Sequence, residues 1–226
     1  MGVTLPLRRI VWLPCWRIVP SRFPPIDLFE RIADPADWDA LIVLESLTND
    51  RIRDAVGDIA LVPMAERISG PGASVIMAAF THPNPDGSRF SDGSFGVFYA
   101  GADLATAIAE TKHHRVRFMR ATNQPRMELD MRVYVVDLDG ALHDISGLRT
   151  ALPLVYHPDD YTAGQAMAAR LRADGSSGIV YDSVRHDGVC AAVFRPRCLT
   201  NPRQERHLCY VWDGRAITTV YEKRAM

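Results

Sequence analysis

Short apolar runs separated by turn residues dominate the second half of the chain, a pattern typical of β-strands. The longest alternating run covers residues 127–138, and shorter runs follow at 141–145, 179–181, 189–194, 208–212 and 217–221. The last two runs flank Asp213-Gly214, a dipeptide that favours a β-hairpin. The pattern therefore predicts a mostly antiparallel sheet in this half.

The first half gives weaker strand signals. Residues 11–19 predict a short strand, 75–80 form a continuous apolar run that predicts a buried strand, and 94–100 (SFGVFYA) predict a third. Residues 60–72 lack a clear period and are predicted to connect elements. The polar stretch 82–93 predicts a loop beside a buried strand, where binding sites are common.

Predicted helices cover residues 38–47, 49–56, 104–118 and 161–173. Asp34-Pro35 is a typical helix start, Asp103 can cap the third helix, and Gly175 ends the fourth. Helices inserted between antiparallel strands indicate an α+β fold. The chain shows no internal repeat or linker, so residues 1–226 are predicted to form one domain with a helical insertion at about 25–70.

Charge and composition exclude several classes of function and location. The chain has 26 Lys plus Arg against 27 Asp plus Glu, so its net charge of −1 gives no basic field for a nucleic acid. Its four cysteines form no C-x-x-C pair, as expected for a reducing cytoplasm. Pro14 and Arg17 interrupt the apolar stretch after Arg8-Arg9, which is too short for a signal or a membrane span. A soluble cytoplasmic protein is expected.

Common motifs for nucleotide binding and hydrolysis are absent from the sequence. It contains no G-x-G-x-x-G, no G-x-x-x-x-G-K-[ST] and no G-x-S-x-G, so side chains must hold any nucleotide. His113 and His114 are neighbours on a predicted helix and point about 100° apart, which does not suit a shared metal ion. We expect them at a solvated helix end and predict no metal site.

Three blocks of sequence carry a family resemblance. They are GSRFSDGSFGVFYA at 87–100 followed by AIAET at 107–111, GIVYDSVR at 178–185, and AVFRP at 192–196. Together with the opening segment WRIVPSR at 16–22, this ordered pattern resembles the RES domain, a family named for an Arg, a Glu and a Ser, and looks most like its longer ParT-type members. The matching residues are Arg89, Glu110 and Ser183.

The resemblance implies a fold similar to ADP-ribosyltransferases, NAD as substrate, and a role as the toxin of a toxin–antitoxin pair. ParT-type relatives are associated with ADP-ribosylation of phosphoribosyl pyrophosphate synthetase, and other RES proteins with NAD depletion. The expected partner is an antitoxin with a helix-turn-helix, of the Xre/ParS kind, that occludes the active site. Direct nucleic-acid binding and membrane association are not expected.

Glu110 is the candidate for the chemical step. Breaking the nicotinamide–ribose bond leaves positive charge on the ribose, and a nearby carboxylate stabilises such a transition state. Nicotinamide leaves as a neutral ring, so it needs a flat surface more than a strong acid. Tyr99, at the end of the preceding predicted strand, offers that surface.

Arginine side chains are expected to hold the pyrophosphate of NAD, because no glycine-rich loop is present. Arg89 is the first choice, with Arg17 and Arg185 as helpers. Ser183 is small and can donate a hydrogen bond to the nicotinamide amide or the ribose. Taken singly, each of these residues is more often structural than functional, and the ordered family match reverses that balance.

Several functions stay open at this point. The acceptor of ADP-ribose can be water, phosphate or a protein side chain. A non-catalytic binding module with the same fold is an alternative, as is a hydrolase using Ser183 and His186, although the sequence around Ser183 lacks the usual nucleophile motif. Direct DNA binding is the least favoured reading.

Overall fold

The computed structural model describes residues 5–21 and 57–224. Within these ranges the chain forms seven strands: β1 (Leu7–Pro20), β2 (Phe98–Gly101), β3 (Met127–Asp144), β4 (Gly178–Asp182), β5 (Val189–Val193), β6 (Leu199–Trp212) and β7 (Ile217–Lys223). The same ranges contain the helices α1 (Ala73–Thr81), α2 (Leu104–Ala121) and α3 (Thr162–Ala173). Short 3-10 helices lie at Ile59–Leu61, Met64–Glu66 and Pro196–Cys198.

The described strands form one seven-stranded sheet in the order β1-β2-β5-β4-β3-β6-β7. Because β1 also pairs with β3, the first five strands in this order close into a ring, and β6 and β7 extend it. Strands β3 and β4 pair in parallel, and the other pairs among the described strands are antiparallel. The predicted α+β fold with a mostly antiparallel sheet and inserted helices is confirmed.

The long strand β3 is central to the sheet, because it pairs with three other strands. It pairs with β1 on one edge and with β6, then β4, on the other. The sequence predicted two strands here, but Gly140 stays in register opposite Ile10 and the strand runs through without a break. The predicted hairpin of β6 and β7 is confirmed, and Asp213 Oδ1 accepts hydrogen bonds from the turn amides of Arg215 and Ala216 at 2.7 and 2.8 Å.

Two of the predicted helices are present where expected. Asp103 caps α2, since its Oδ1 accepts a hydrogen bond from the amide of Thr106 at 2.8 Å. Helix α3 ends just before Gly175, whose φ of +86° favours glycine. Each helix contributes to a different hydrophobic cluster of the core. Helix α2 packs against β1, β2 and β5, and helix α3 packs against β4.

The buried strand predicted at 75–80 is wrong, because this segment belongs to helix α1. A short continuous apolar run fits a buried helix as well as a buried strand. Here Ile76, Met77 and Phe80 are buried, and three alanines raise the helix propensity. The strand predicted at 94–100 begins only at Phe98.

The predicted helices at 38–47 and 49–56, with their Asp34-Pro35 start, lie outside the described residues. The described part of the predicted insertion, residues 57–70, contains two 3-10 helices. All four cysteines are free thiols. Among the described helices, none is long and apolar enough to cross a membrane.

Candidate active site

Helix α2 and the end of strand β4 bring Glu110 and Ser183 together. Ser183 Oγ donates a hydrogen bond to Glu110 Oε1 at 2.6 Å, and Ser183 is fully buried. The same hydroxyl oxygen accepts hydrogen bonds from the backbone amides of Arg185 and His186 at 3.1 and 3.0 Å. With its acceptor capacity used by these two amides, the Ser183 hydroxyl directs its proton to the carboxylate.

The turn after β4 is built to hold Ser183 in this position. The amide of Ser183 donates to Gly188 O at 2.8 Å, which closes the turn. Gly188 packs so closely on α2 that a Cβ would lie 2.0 Å from Thr106 Oγ1, so only glycine fits. Thr106 Oγ1 donates to the capping carboxylate of Asp103 at 2.7 Å and pairs with His186 Nδ1 at 3.1 Å. The helix cap and the turn are therefore one hydrogen-bonded unit.

Arg89 is buried, and its guanidinium is held through Nη1 and by stacking on Tyr161. Its Nη1 donates hydrogen bonds to Val155 O and His157 O, each at 2.9 Å, and its guanidinium carbon lies 4.8 Å from the ring centre of Tyr161. Within the described residues, Nε and Nη2 of Arg89 have no hydrogen-bond partner, and neither atom is fully enclosed. Two nitrogens of Arg89 thus have no hydrogen-bond partner within the described part of the chain.

Tyr99 uses its hydroxyl to support the segment that carries Arg89. The hydroxyl oxygen accepts a hydrogen bond from the amide of Phe90 at 3.0 Å and pairs with Ser88 Oγ at 2.8 Å. Burial raises the pKa of Tyr99 to about 12, so the phenol is neutral at physiological pH. The hydroxyl is therefore committed to contacts within the protein.

Arg17 lies against Phe98 and the backbone of Tyr99. Its Nη1 donates to Tyr99 O at 3.1 Å, its guanidinium carbon lies 4.5 Å from the ring centre of Phe98, and its buried Nε has no partner. Burial lowers the pKa of Arg17 to about 10, which still leaves it charged at neutral pH. No acidic side chain pairs with Arg17 among residues 5–21 and 57–224.

Arg185 ties the turn after β4 to its surroundings. Its Nη2 donates to His113 Nε2 at 2.9 Å, donates to Pro158 O, and lies 3.6 Å from Asp159 Oδ1. The sequence analysis expected the guanidinium of Arg185 to help bind the pyrophosphate of NAD, but here its Nη2 is bound to other protein groups. The structure gives Arg185 a bracing position between α2 and the loop before α3.

The two adjacent histidines of α2 differ in exposure: His113 is half-buried and contacts Arg185, which corrects the expectation of a solvated position, whereas His114 is exposed, as expected. They follow Glu110 by three and four residues, a spacing that places them near its face of the helix. Desolvation, followed by the nearby charge of Arg185, lowers the pKa of His113 to about 4. His113 is therefore neutral at physiological pH.

The separate contacts converge on one region. Burial raises the pKa of Tyr181, in β4, well above its usual 10, and Glu110, Tyr99 and Arg89 all act electrostatically on its hydroxyl. An open polar cavity of about 530 Å³, lined by Arg149 and residues 182–188, borders the same turn. The structure thus brings Glu110 and Ser183 together with Arg185 nearby, and connects them through Tyr181 to Tyr99 and the segment that carries Arg89. Arg17 packs instead on Phe98, whose side chain lies on the opposite face of β2 from that of Tyr99. No group of metal-binding side chains occurs within the described residues.

The geometry argues against a Ser/His hydrolase. A serine nucleophile needs its hydroxyl within hydrogen-bond reach of a base. Here the Ser183 hydroxyl donates to Glu110, and His186 contributes its backbone amide, with its ring nitrogen Nδ1 directed to Thr106. The Ser183–Glu110 pair instead fixes the orientation of a carboxylate.

The fold and the site together define an α+β protein with a carboxylate fixed by a buried serine hydroxyl. The sequence model of the RES domain matches residues 64–213, so the chain belongs to the RES domain family. An uncharacterized protein, y4oC, from Sinorhizobium fredii is 28% identical over 209 residues, which cover 91% of this chain and 86% of that protein. Among solved structures, the M. tuberculosis MbcT-MbcA toxin-antitoxin complex is similar with a TM-score of 0.48 and 13% identity, over 92% of this chain and 87% of that chain.

Proposed function

We propose that this protein cleaves the nicotinamide–ribose bond of NAD as the toxin of a type II toxin–antitoxin pair. The observation that supports the proposal most strongly is the carboxylate of Glu110, oriented by the buried Ser183 hydroxyl at 2.6 Å. Family membership supplies the substrate, and the arrangement of charges around Glu110 is consistent with it.

Arg89 and Arg17 are suited to bind the pyrophosphate. Each keeps part of its guanidinium free of protein partners among the described residues, and an unpaired cation in a desolvated position favours an anionic ligand. Tyr99 contacts both surroundings: its backbone carbonyl accepts from Arg17, and the hydroxyl of its ring binds the segment that carries Arg89. In this proposal that ring packs on the nicotinamide.

Glu110 acts on the ribose. The C–N bond breaks with its electron pair leaving on the nicotinamide nitrogen, which turns a pyridinium cation into a neutral ring. The ribose becomes an oxocarbenium-like cation, and the Glu110 carboxylate stabilises it. Because Ser183 occupies Oε1, the other oxygen, Oε2, faces the ribose hydroxyls and can take the proton of the incoming acceptor.

The acceptor decides the biological outcome. Transfer to water or phosphate depletes NAD, whereas transfer to a protein side chain modifies a target, such as the phosphoribosyl pyrophosphate synthetase implied by the ParT-type resemblance. In every case the first step is the same bond cleavage. A cytoplasmic location follows from NAD as the substrate of this proposal.

Control of such an activity requires a partner. We propose a cognate antitoxin with a helix-turn-helix of the Xre/ParS kind, which covers the site and binds DNA in place of the toxin. The neutralised particle is expected to contain two toxins and a dimeric antitoxin. Light scattering on the co-purified pair tests this, and a 1:1 particle would contradict it.

The enzymatic proposal is tested by incubating purified protein with NAD and separating free nicotinamide by chromatography. Wild type should release nicotinamide, and Arg89→Leu should lose about 100-fold or more in rate. Glu205→Gln, at an exposed position on β6, serves as a control with unchanged release. Failure of wild type to release nicotinamide, even with cell lysate as a source of acceptors, would favour a non-catalytic binding module.

A further inference from the structure

Arg89 lies in a tight turn whose shape depends on a neighbouring helix. Ser88 and Ser91 face each other across this turn, with the amide of Ser88 donating to Ser91 O at 2.7 Å. Both carbonyl oxygens at its base receive a second bond, because Gln165 Nε2 donates to Ser88 O at 3.0 Å and to Ser91 O at 3.3 Å. Gln165 belongs to the first turn of α3, so this helix closes the base of the Arg89 turn.

A second contact from the same helix turn supports the backbone of Arg89 itself. Gly164 is buried, and a Cβ at this position would lie 2.4 Å from Arg89 O, which is a severe overlap with backbone. Gly164 therefore allows a close approach that any larger residue would prevent. The Arg89 turn is fixed on its other side by the Tyr99 hydroxyl from β2.

We propose that Gly164 and Gln165 are positioning residues for Arg89. They touch its turn and not the ligand, and they set the direction of the free Nε and Nη2 donors. The proposal rests on the proposed function for the identity of the anion, which is the pyrophosphate of NAD or ADP-ribose. A backbone turn with two carbonyls bound by one amide has few ways to rotate, so the guanidinium is held ready before the ligand arrives.

The direct test compares ligands with and without a pyrophosphate. Gln165→Met keeps the shape of the side chain and removes its donor. It should raise the Kd of ADP-ribose and the KM of NAD about 3- to 10-fold, the usual effect of one hydrogen bond, and leave kcat at saturating NAD within about twofold. Cleavage of nicotinamide riboside, which has no pyrophosphate, should change by less than about twofold.

Two further variants separate positioning from general stability. Gly164→Ala improves the helix propensity of α3 and yet should weaken ADP-ribose binding by about tenfold or more, because it displaces Arg89. Gln204→Met, on the exposed surface of β6, is the matched control and should change neither quantity. In an Arg89→Leu background, Gln165→Met should have no additional effect on binding, since its role acts through Arg89.

Amide hydrogen exchange tests, without any nucleotide, whether Gln165 holds the Arg89 turn in place. In Gln165→Met, the amides of residues 88–91 should exchange about tenfold faster or more, with β3 and β6 unchanged. Equal exchange in variant and wild type would overturn the proposal, and so would faster exchange with unaltered ADP-ribose binding. A wild type that binds no ADP-ribose would refute the proposed function and the anion assigned here, while the exchange result still decides whether Gln165 fixes the turn.

Discussion

Removing the Ser183 hydroxyl tests the arrangement around Glu110 most severely. Ser183→Ala deletes a 2.6 Å bond from a fully buried hydroxyl to a carboxylate and leaves the part-buried amides of Arg185 and His186 without their acceptor. A hydrogen bond to a charged group contributes about 1.5–3 kcal/mol, and a buried unsatisfied donor costs about 1–3 kcal/mol. Because Glu110 is partly exposed, we expect a loss of about 2–3 kcal/mol in the free energy of unfolding.

That loss corresponds to a fall of about 4–12 °C in Tm for a chain of this size. Without the bond, Glu110 is free to rotate, and nicotinamide release should fall roughly 10- to 100-fold. Calorimetry measures the first effect and chromatography of nicotinamide the second.

The control is Ser94→Ala, which removes a bond of the same kind and length, from Ser94 Oγ to Asp92 Oδ1 at 2.6 Å, at an exposed position. Its effect on stability should stay within about 0.5 kcal/mol, as for most surface substitutions. If Ser183→Ala were as stable and as active as Ser94→Ala, the assignment of Ser183 as the group that orients Glu110 would be refuted.

Other perturbations follow from individual contacts. Gly188→Ala forces a Cβ to within 2.0 Å of Thr106 Oγ1 and should lower both Tm and nicotinamide release; calorimetry that finds no change would contradict the packing described here. Arg17→Met removes a desolvated cation, so Tm should be equal or higher while the Kd of ADP-ribose rises about tenfold, and a lower Tm with unaltered binding would oppose this reading. The pKa of His113 is about 4 in the folded protein against 6.5 in the unfolded chain, so the unfolded chain binds more protons and stability falls as pH drops from 6.5 towards 4. Urea unfolding at pH 7 and pH 5 should therefore show a smaller pH dependence for His113→Gln, and an identical dependence would exclude His113 as a cause.

The sequence predicted the fold where local signals and tertiary structure agree. The Asp103 cap, the Asp213-Gly214 hairpin and the alternation of β3 each depend on contacts within a few residues or on one exposed face. The segment at 75–80 was predicted wrongly because its run of six apolar residues is too short and continuous to distinguish a helix from a strand by periodicity; Ala78, which is exposed in the helix, is as apolar as its buried neighbours. Pairing of β1 with β3 joins residues more than a hundred positions apart and leaves no local signal.

In the candidate site, too, some residues had a signal in the sequence and others had none. Arg89, Glu110 and Ser183 came from an ordered family pattern, and the structure brings the last two into direct contact. Gln165 and Gly164 were not predicted, because an amide bound to two backbone carbonyls leaves no mark on the sequence beyond a glycine beside a glutamine.

The central claim is that Glu110 carries the chemical step while the arginines bind the ligand. The most direct test is to measure the Kd of NAD by calorimetry and kcat by nicotinamide release in Glu110→Gln, which keeps the shape of the side chain and removes its charge. We predict a Kd within about threefold of wild type and a kcat reduced about 100-fold or more. A kcat near that of wild type, or a loss of binding large enough to account for all of the lost activity, would contradict the claim.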